Sequence, residues 1–314
     1  MKKSQNDQNM KIFQTSNESN DDYEIEADWI IGLLCNFDCE YCISHTKEKY
    51  GVTSINVGKK YVDFFNSSGK KWLLHITGGE PFLFPNFVEL CKEITKKHKI
   101  NLNTNLSSAN VFSFADEIDP KKVTFINIGL HIIEREKRKS IEDFIEKHKY
   151  FEQRGFPLMV SYVMYPKLFS RFANDYDYFK SIGISIFPKS LRGVFFDKRY
   201  PEAYTVEEKK FFLEFSLKAE KEMTQRNFFK DPIINLSLDR DFIEEKQNYK
   251  GRMCLAGKKF VRIFPDGIIT RCDKKTEIGN VFNGEINLYS GANICNTYSC
   301  PYFCAKYSFL QKKG

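Results

Sequence analysis

The stretch Leu34-Cys35-Asn36-Phe37-Asp38-Cys39-Glu40-Tyr41-Cys42 decides the fold that we predict for this chain. Its three cysteines have the spacing C-x3-C-x2-C and directly follow the apolar run 29–34. A loop this short can direct three thiolates at one point, and such groups bind soft metals, above all iron–sulfur clusters and zinc. Three thiolates on a cubane 4Fe–4S cluster would leave one iron free to bind another ligand.

Two other interpretations of these cysteines are open at this point. A three-cysteine zinc knuckle normally recruits a histidine as its fourth ligand, and His45 follows closely in the sequence. Alternatively, the three cysteines are buried side chains without chemistry. A second motif is needed to choose between them.

The second motif is Thr77-Gly78-Gly79-Glu80-Pro81, directly after the strand-length apolar run 72–76. Glycines at the end of a strand allow a ligand to approach the backbone closely, and Glu80 projects into the same place. A Gly-Gly-Glu turn alone is a weak signal because any tight turn can contain it. Its position one strand after the cysteines makes the combination specific.

Together the two motifs resemble the signature of the radical S-adenosylmethionine (SAM) enzymes, which combine C-x3-C-x-(aromatic)-C with a GGE motif. The resemblance implies that Cys35, Cys39 and Cys42 hold a 4Fe–4S cluster, covered by Tyr41. It also implies that the turn after the second strand engages the amino group of SAM through these residues: Thr77, Gly78, Gly79, Glu80 and Pro81.

Strand and helix signals alternate along most of the chain. The expected strands are 23–34, 72–76, 99–104, 123–131, 157–165 and 184–187. Helical spacing at 57–65, 87–94, 141–154 and 166–181 implies parallel β/α units with right-handed crossovers. With the resemblance, this predicts an α/β fold in which residues 23–200 form a partial (β/α)6 parallel barrel. Cys91 falls on the core face of its helix.

Ligands of such barrels bind at the carboxyl ends of the strands. Polar residues at these ends are therefore candidates for SAM binding: Asn103, Asn105, Ser161 and Arg192. His131 and Tyr165 are candidate catalytic residues, and Glu134 is placed to orient His131. The alternative is that His131 only caps its strand in a hydrogen-bonded site.

The flanking segments are organised differently. Residues 1–22 are polar and predict a mobile tail. Residues 201–250 predict a helical connector, with Thr205 and Glu208 as the capping box of a helix over 206–223. Residues 195–203 predict a loop.

Five cysteines lie in residues 251–314, which we predict to be a small domain built on a β-hairpin. Two strand-like runs, 260–264 and 268–271, flank the turn Pro265-Asp266-Gly267. The spacing C-x12-G-x4-C is similar to the opening of the auxiliary-cluster domains called SPASM and of their short form, Twitch. The resemblance implies a second 4Fe–4S cluster, and structural zinc is the alternative. The preferred ligands are Cys254, Cys272, Cys300 and Cys304, with Cys295 as a substitute.

Composition restricts the class of protein. The net charge of +7 is modest for 314 residues, and its lysines alternate with acids, which is not typical of a nucleic-acid-binding surface. No apolar run is long enough to span a bilayer. Reduced, metal-binding cysteines favour a cytoplasmic protein.

The resemblance implies reductive cleavage of SAM to a 5′-deoxyadenosyl radical, which abstracts hydrogen from a substrate. A low-potential donor such as flavodoxin or ferredoxin would supply the electron, and the net reaction would be an oxidation. We expect a small polar substrate of the sugar or aminocyclitol type, because the short tail leaves no room for a leader-binding domain. The alternatives are radical modification of a ribosomally made peptide, a zinc-stabilised binding module and an inactive scaffold.

Overall fold

A computed structural model describes residues 23–42, 55–225, 230–272 and 276–300 of the chain, with 55–56, 223–225 and 230–236 described by their backbone alone. The predicted tail at 1–22, the zinc alternative's His45 and the predicted ligand Cys304 lie outside the described residues. Within the described residues, the helices are all too short or too polar to cross a membrane.

Fourteen strands and eight α-helices are described. The strands are β1 (Ile25–Gly32), β2 (Trp72–Gly78), β3 (Lys99–Thr104), β4 (Val123–Gly129), β5 (Leu158–Met164), β6 (Ile186–Ser190), β7 (Gly193–Phe195), β8 (Lys198–Tyr200), β9 (Met253–Cys254), β10 (Phe260–Ile263), β11 (Ile268–Thr270), β12 (Glu277–Asn280), β13 (Glu285–Ile286) and β14 (Asn293–Ile294). The helices are α1 (Ile55–Ser67), α2 (Phe87–Thr95), α3 (Val111–Glu117), α4 (Ile132–Lys137), α5 (Ile141–Gln153), α6 (Phe169–Ser181), α7 (Val206–Gln225) and α8 (Lys230–Ile243).

The six strands β1 to β6 pair in parallel and in chain order, with helices on the connections between them. This confirms the predicted α/β fold with a partial parallel barrel. Consecutive strands with right-handed helical crossovers bring all carboxyl ends to one edge. The cysteine loop follows β1 and the Gly-Gly-Glu turn follows β2, so both motifs lie at that edge.

The two faces of the sheet differ in chemistry because side chains alternate along each strand. On the outer face, the fully buried Trp29 packs against Tyr61 of α1, with ring centroids 4.6 Å apart. On the inner face, Glu26 Oε2 lies 2.8 Å from His75 Nε2, and Nδ1 of the same ring contacts the amide of Asn101. The apolar core therefore lies between sheet and helices, and the barrel interior is polar.

Several local predictions are confirmed. Cys91 is fully buried on the core face of α2. Gly155 follows α5 with a φ of 77°, as expected for a helix stop. The capping box of α7 is formed in both directions: Thr205 N donates to Glu208 Oε2 at 2.8 Å, and Glu208 N donates to Thr205 Oγ1 at 3.1 Å.

The C-terminal hairpin forms as predicted but joins the barrel sheet. β10 and β11 are antiparallel and connected through Gly267, whose φ is 83°. β10 also pairs in parallel with β1, so β10 to β13 extend the sheet beyond β1. Across this junction, Arg262 Nε donates to Asp28 Oδ2 at 2.9 Å.

One expectation for the connector is wrong. The predicted loop at 195–203 contains most of a hairpin, β7 and β8, whose turn residues Phe196 and Asp197 have φ values of 52° and 59°. Neither residue is a glycine or asparagine, so the turn has no sequence signal. Helix α8 lies within the predicted helical connector, although its own bounds were not predicted, because its apolar residues lack a clear period.

We expect Phe114→Ala to lower the free energy of unfolding by about 3–5 kcal/mol, because it leaves a cavity in the core. Phe114 is fully buried between Phe82 and Phe151, with ring centroids at 5.6 Å and 6.1 Å. Leu217→Ala is the control, since Leu217 is 57% exposed and should change stability by less than about 0.5 kcal/mol. Denaturant unfolding measures both, and equal effects would contradict this packing.

We expect the free energy of unfolding to fall between about pH 6.5 and pH 4. Burial lowers the pKa of His98 and of His148 from 6.5 to about 4. Both rings are therefore neutral in the fold, and the unfolded chain binds protons more readily as the pH falls. Urea unfolding at several pH values measures the slope. His148→Gln should flatten it, and an unchanged slope would contradict the prediction.

Candidate active site

The cysteine loop is fixed by side chains from the segments that directly follow β4 and β5. Asp38 N donates to Glu134 Oε2 of α4 at 3.0 Å. Glu40 Oε2 accepts from Tyr165 Oη at 2.8 Å and from Lys167 Nζ at 2.9 Å. These contacts hold the loop across the carboxyl edge of the sheet. Glu134 thus binds the loop, although the sequence suggested that it orients His131.

Tyr41 and His131 form an aromatic pair beside the thiols. Tyr41 Oη lies 3.2 Å from His131 Nδ1, and the two rings stack with centroids 6.0 Å apart. Burial, with the positive charge of Arg135, lowers the pKa of His131 to about 4, so the ring is neutral. A Cβ at Gly129 would lie 2.2 Å from His131 Nε2, which explains why glycine ends β4.

The thiols of the loop lie close enough to influence one another. Burial raises the pKa of Cys39 to about 12, with further contributions from Glu134, Cys42 and Cys35. Burial also raises the pKa of Cys35, whose sulfur accepts the N–H of Phe37 at 3.4 Å. Metal binding would displace these protons. Among the described residues, no three Cys, His, Asp or Glu side chains converge at metal-ligand distances.

The Gly-Gly-Glu turn docks on the segment that leads into the cysteine loop. Gly79 N donates to Gly32 O at 2.9 Å, and Glu80 N donates to Leu34 O at 2.7 Å. A Cβ at Gly78 would lie 2.1 Å from Gly32 O, and one at Gly79 would lie 2.1 Å from Leu34 O. The sequence predicted a close approach of a ligand here, and the structure shows a close approach of the chain itself.

Glu80 connects the two motifs with the end of β3. Its carboxylate is buried and accepts from Thr104 Oγ1 and from Asn105 N, both at 2.7 Å, and from Phe82 N at 3.1 Å. Burial raises its pKa, against these hydrogen bonds. The amide of Asn105 in turn lies 3.8 Å from Cys35 Sγ. Glu80, Asn105 and Cys35 therefore form one connected group, while Pro81 begins a buried 3-10 turn.

The other predicted SAM-binding residues lie on strands of the sheet or just after β6. Thr77 is half-buried at the end of β2, and Asn103 Oδ1 accepts from Asn127 Nδ2 at 2.8 Å. Ser161 is buried, and its hydroxyl points to Ile128 O at 3.4 Å. Arg192 is held by Asp239 of α8 and stacks on a ring of the same helix.

Sequence reasoning missed Arg135, which is fully buried below the loop. Its Nε donates to Leu130 O at 2.6 Å, its Nη2 donates to Asn105 O, and its guanidinium carbon lies 4.4 Å from the Phe144 ring centroid. Burial lowers its pKa to about 10. The surrounding charged sequence, 134–139, resembles a solvated helix face, so no pattern distinguished this residue.

A ring of half-buried side chains lines the inner face near the carboxyl ends of the strands. β2, β3, β4, β6 and β10 each contribute one polar side chain to it, β1 contributes Ile30 and β5 contributes Val163. Alternation from the inward-facing Glu26 and His75 places them all on one wall. The polar members are Thr77, Asn103, Asn127, Lys189 and, from β10, Arg262.

The ring contains two positive side chains, each with a carboxylate partner. Lys189 Nζ lies 3.5 Å from Asp239 Oδ2, and Arg262 is paired with Asp28. Burial lowers the pKa of Lys189, while Asp239 opposes that shift. Arg192 shares Asp239 with Lys189, so the ring offers hydrogen-bonding groups beside a partly neutralised positive charge.

Four of the five C-terminal cysteines are described, and they pack together. Cys254 and Cys300 are buried in one small cluster, and Cys272 and Cys295 pack against it. Burial raises the pKa of Cys295, and the charges of Cys254 and Cys300 add to that shift. Cys295, predicted as a substitute ligand, thus packs together with the other three described cysteines.

We expect Gly79→Ala to destabilise the protein by about 1–3 kcal/mol and to reduce the iron bound by the cysteine loop, because the new methyl group collides with Leu34 O. Gly58→Ala is the control, since its Cβ would meet only ordinary contacts at 3.8 Å. Denaturant unfolding and iron analysis after anaerobic reconstitution measure the two effects. Equal behaviour of the two variants would refute this role of Gly79.

The comparisons with known proteins agree with this geometry. Residues 29–173 match the Radical SAM superfamily model. Among solved structures, the chain is similar to a histidine-tagged form of anSMEcpe with bound AdoMet, with a TM-score of 0.60, 15% identity, and coverage of 91% of this chain and 82% of that one. For "Native anSMEcpe with bound AdoMet and Kp18Cys peptide", the TM-score is 0.58 and the identity is 15%, and the match covers 82% of this chain and 78% of that one.

A third similar structure is SuiB of Streptococcus suis bound to its precursor peptide SuiA, with a TM-score of 0.52, 16% identity, and coverage of 83% of this chain and 63% of that one. No curated protein matches the sequence. At these identities the solved structures show a shared fold. The family match covers both motifs of the carboxyl edge, and residues 29–173 are therefore a radical SAM domain, which uses a 4Fe–4S cluster and SAM.

Proposed function

We propose that this chain reductively cleaves SAM and uses the 5′-deoxyadenosyl radical to oxidise a small, polar, hydroxyl-rich substrate of the sugar or aminocyclitol type. The observation that carries the substrate class is the ring of mostly polar side chains on the inner face, whose two cations have carboxylate partners. Hydroxyl groups can exchange hydrogen bonds with its amides and its threonine, whereas an apolar substrate would leave these groups unsatisfied.

The residues of the carboxyl edge have separable roles in this proposal. Cys35, Cys39 and Cys42 hold the cluster, which supplies the electron for SAM cleavage when bound. The stacked Tyr41 and His131 cover one side of the loop and exclude water. Glu80 and its neighbours supply the acceptors and backbone groups that orient the methionine end of SAM.

In the C-terminal unit, we propose Cys254, Cys272, Cys295 and Cys300 as ligands of an auxiliary 4Fe–4S cluster that accepts the electron of the substrate radical. Their packing in one cluster supports this set. The predicted ligand Cys304 remains a candidate because it lies outside the described residues. An acidic low-potential carrier such as flavodoxin or ferredoxin would reduce the barrel cluster.

A second candidate function is radical modification of a peptide. It is favoured by the similar structures solved with peptides, anSMEcpe and SuiB. The two candidates differ in what stimulates hydrogen abstraction. Pooled sugars and aminocyclitols, or pooled short peptides, can be added to the reduced protein with SAM, and 5′-deoxyadenosine formation can be followed by mass spectrometry. Stimulation by peptides alone would overturn the polar-metabolite proposal.

We expect the anaerobically reconstituted protein to form 5′-deoxyadenosine from SAM and dithionite, and Cys39→Ala to reduce that product to background, because it removes a cluster ligand. Cys91→Ala is the control, since Cys91 is buried in the core of α2. Chromatography quantifies the product. Iron binding without any product would favour an inactive scaffold, and a colourless zinc protein would favour a binding module.

We expect Cys272→Ala to leave SAM cleavage intact and to prevent substrate oxidation, because it removes a ligand of the auxiliary centre only. The iron content should fall from about eight atoms per chain to about four. Iron analysis and 5′-deoxyadenosine formation test this together. Loss of SAM cleavage in Cys272→Ala would contradict separate roles for the two centres.

A further inference from the structure

One arginine contacts the backbone of two cysteine-bearing segments. Arg271 follows β11 and directly precedes Cys272. Its guanidinium donates three hydrogen bonds, all to main-chain carbonyl groups: Nε to Ala256 O at 3.0 Å, Nη1 to Ile294 O at 3.3 Å, and Nη2 to Asn293 O at 3.1 Å. The side chain thus uses all three of its nitrogens for tertiary contacts.

The three acceptors belong to the segments that carry Cys254 and Cys295. β9 and β14 pair through Cys254 and Asn293, and Cys295 N donates to Arg252 O at 2.8 Å. This pairing is only two residues long on each strand. A two-stranded ribbon of that length is not stable alone, so the bonds of Arg271 tie it to the main sheet.

A backbone segment of the same unit leaves room for the side chain of Arg271. Gly257 has a φ of 89°, and a Cβ there would lie 3.2 Å from Arg271 Cγ and 2.9 Å from the ring of Tyr289. The guanidinium carbon lies 5.9 Å from the centroid of the same ring. The stem of Arg271 therefore passes between a glycine and a tyrosine, which fixes its direction.

Arg271 also places a positive charge beside the thiols. The guanidinium contacts Ile294 O, one residue before Cys295, and Arg271 itself directly precedes Cys272. A cation near thiolate ligands stabilises their ionised form. By the same electrostatics it stabilises the reduced, more negative state of a bound iron–sulfur cluster.

We propose that Arg271 is the positioning residue of the auxiliary centre. It fixes the spacing of the segments that carry Cys254, Cys272 and Cys295 before metal binds, and it holds a positive charge beside the bound cluster. This inference rests on the auxiliary cluster in our proposed function. A lysine cannot replace it, because an ammonium group is a point charge without the planar fork that reaches separate carbonyls.

The test uses the full chain with Cys35, Cys39 and Cys42 changed to alanine, so that any iron reports the auxiliary centre alone. Arg271→Lys and Arg271→Gln are made in this background. Lys258→Met is the matched control, because Lys258 Nζ also donates to a carbonyl of the unit, Ser290 O at 2.6 Å, which lies farther from any cysteine in the sequence than the acceptors of Arg271 do. Circular dichroism confirms that each variant is folded.

Iron content, the rate of iron loss to a ferrous chelator, and the reduction potential are measured. We expect both Arg271 variants to lose iron about tenfold faster than the background protein, as for other residues that orient metal ligands. We expect the potential to become more negative in Arg271→Gln and to change little in Arg271→Lys, which keeps the charge. Lys258→Met should match the background protein in all three measurements.

The outcomes separate the two proposals. Iron loss from Arg271→Lys at the rate of the background protein would overturn the positioning role, while the auxiliary cluster would stand. An unchanged potential in Arg271→Gln would overturn the electrostatic role. A background protein that takes up no iron would refute the auxiliary cluster and this inference together.

Discussion

The structure depends on the close approach of two backbone segments, the end of β1 and the turn after β2. The hydrogen bonds from Gly79 N to Gly32 O and from Glu80 N to Leu34 O require that neither Gly78 nor Gly79 carries a side chain. This approach fixes the start of the cysteine loop and turns Glu80 toward the end of β3. The position of Glu80, and through it that of Asn105 beside Cys35, follows from this approach.

Much of the fold was predictable because the barrel strands are short apolar runs between clear helix signals. β3 was predicted with its observed bounds, and the capping box at Thr205 and the stop at Gly155 were correct in detail. These features depend on local chemistry, which a sequence displays directly. The pairing of β10 with β1 was not predicted, because the partners are far apart in the chain and no local pattern encodes them.

For the candidate site, the sequence predicted the position but not the supporting contacts. The two motifs gave its position, since residue types and spacing define a ligand set. The supporting contacts of Glu134, Arg135 and Asp239 were missed, because their roles come from tertiary burial and not from neighbours in the sequence. Charged residues on helices are usually solvated, and only the fold distinguishes the buried ones. Arg192 was predicted from its place at a strand end to bind SAM, but its side chain is paired with Asp239 of a helix that is distant in the sequence.

The junction between β1 and β10 has a consequence for how the protein is made. Asp28 and Arg262 are 234 positions apart, and they join the strand that carries the cluster loop to the strand that follows Cys254. During synthesis, one edge of β1 stays unpaired until the ribosome has released β10. Exposed strand edges promote association between chains. The nascent barrel therefore carries an open strand edge through most of translation, until β10 pairs with β1.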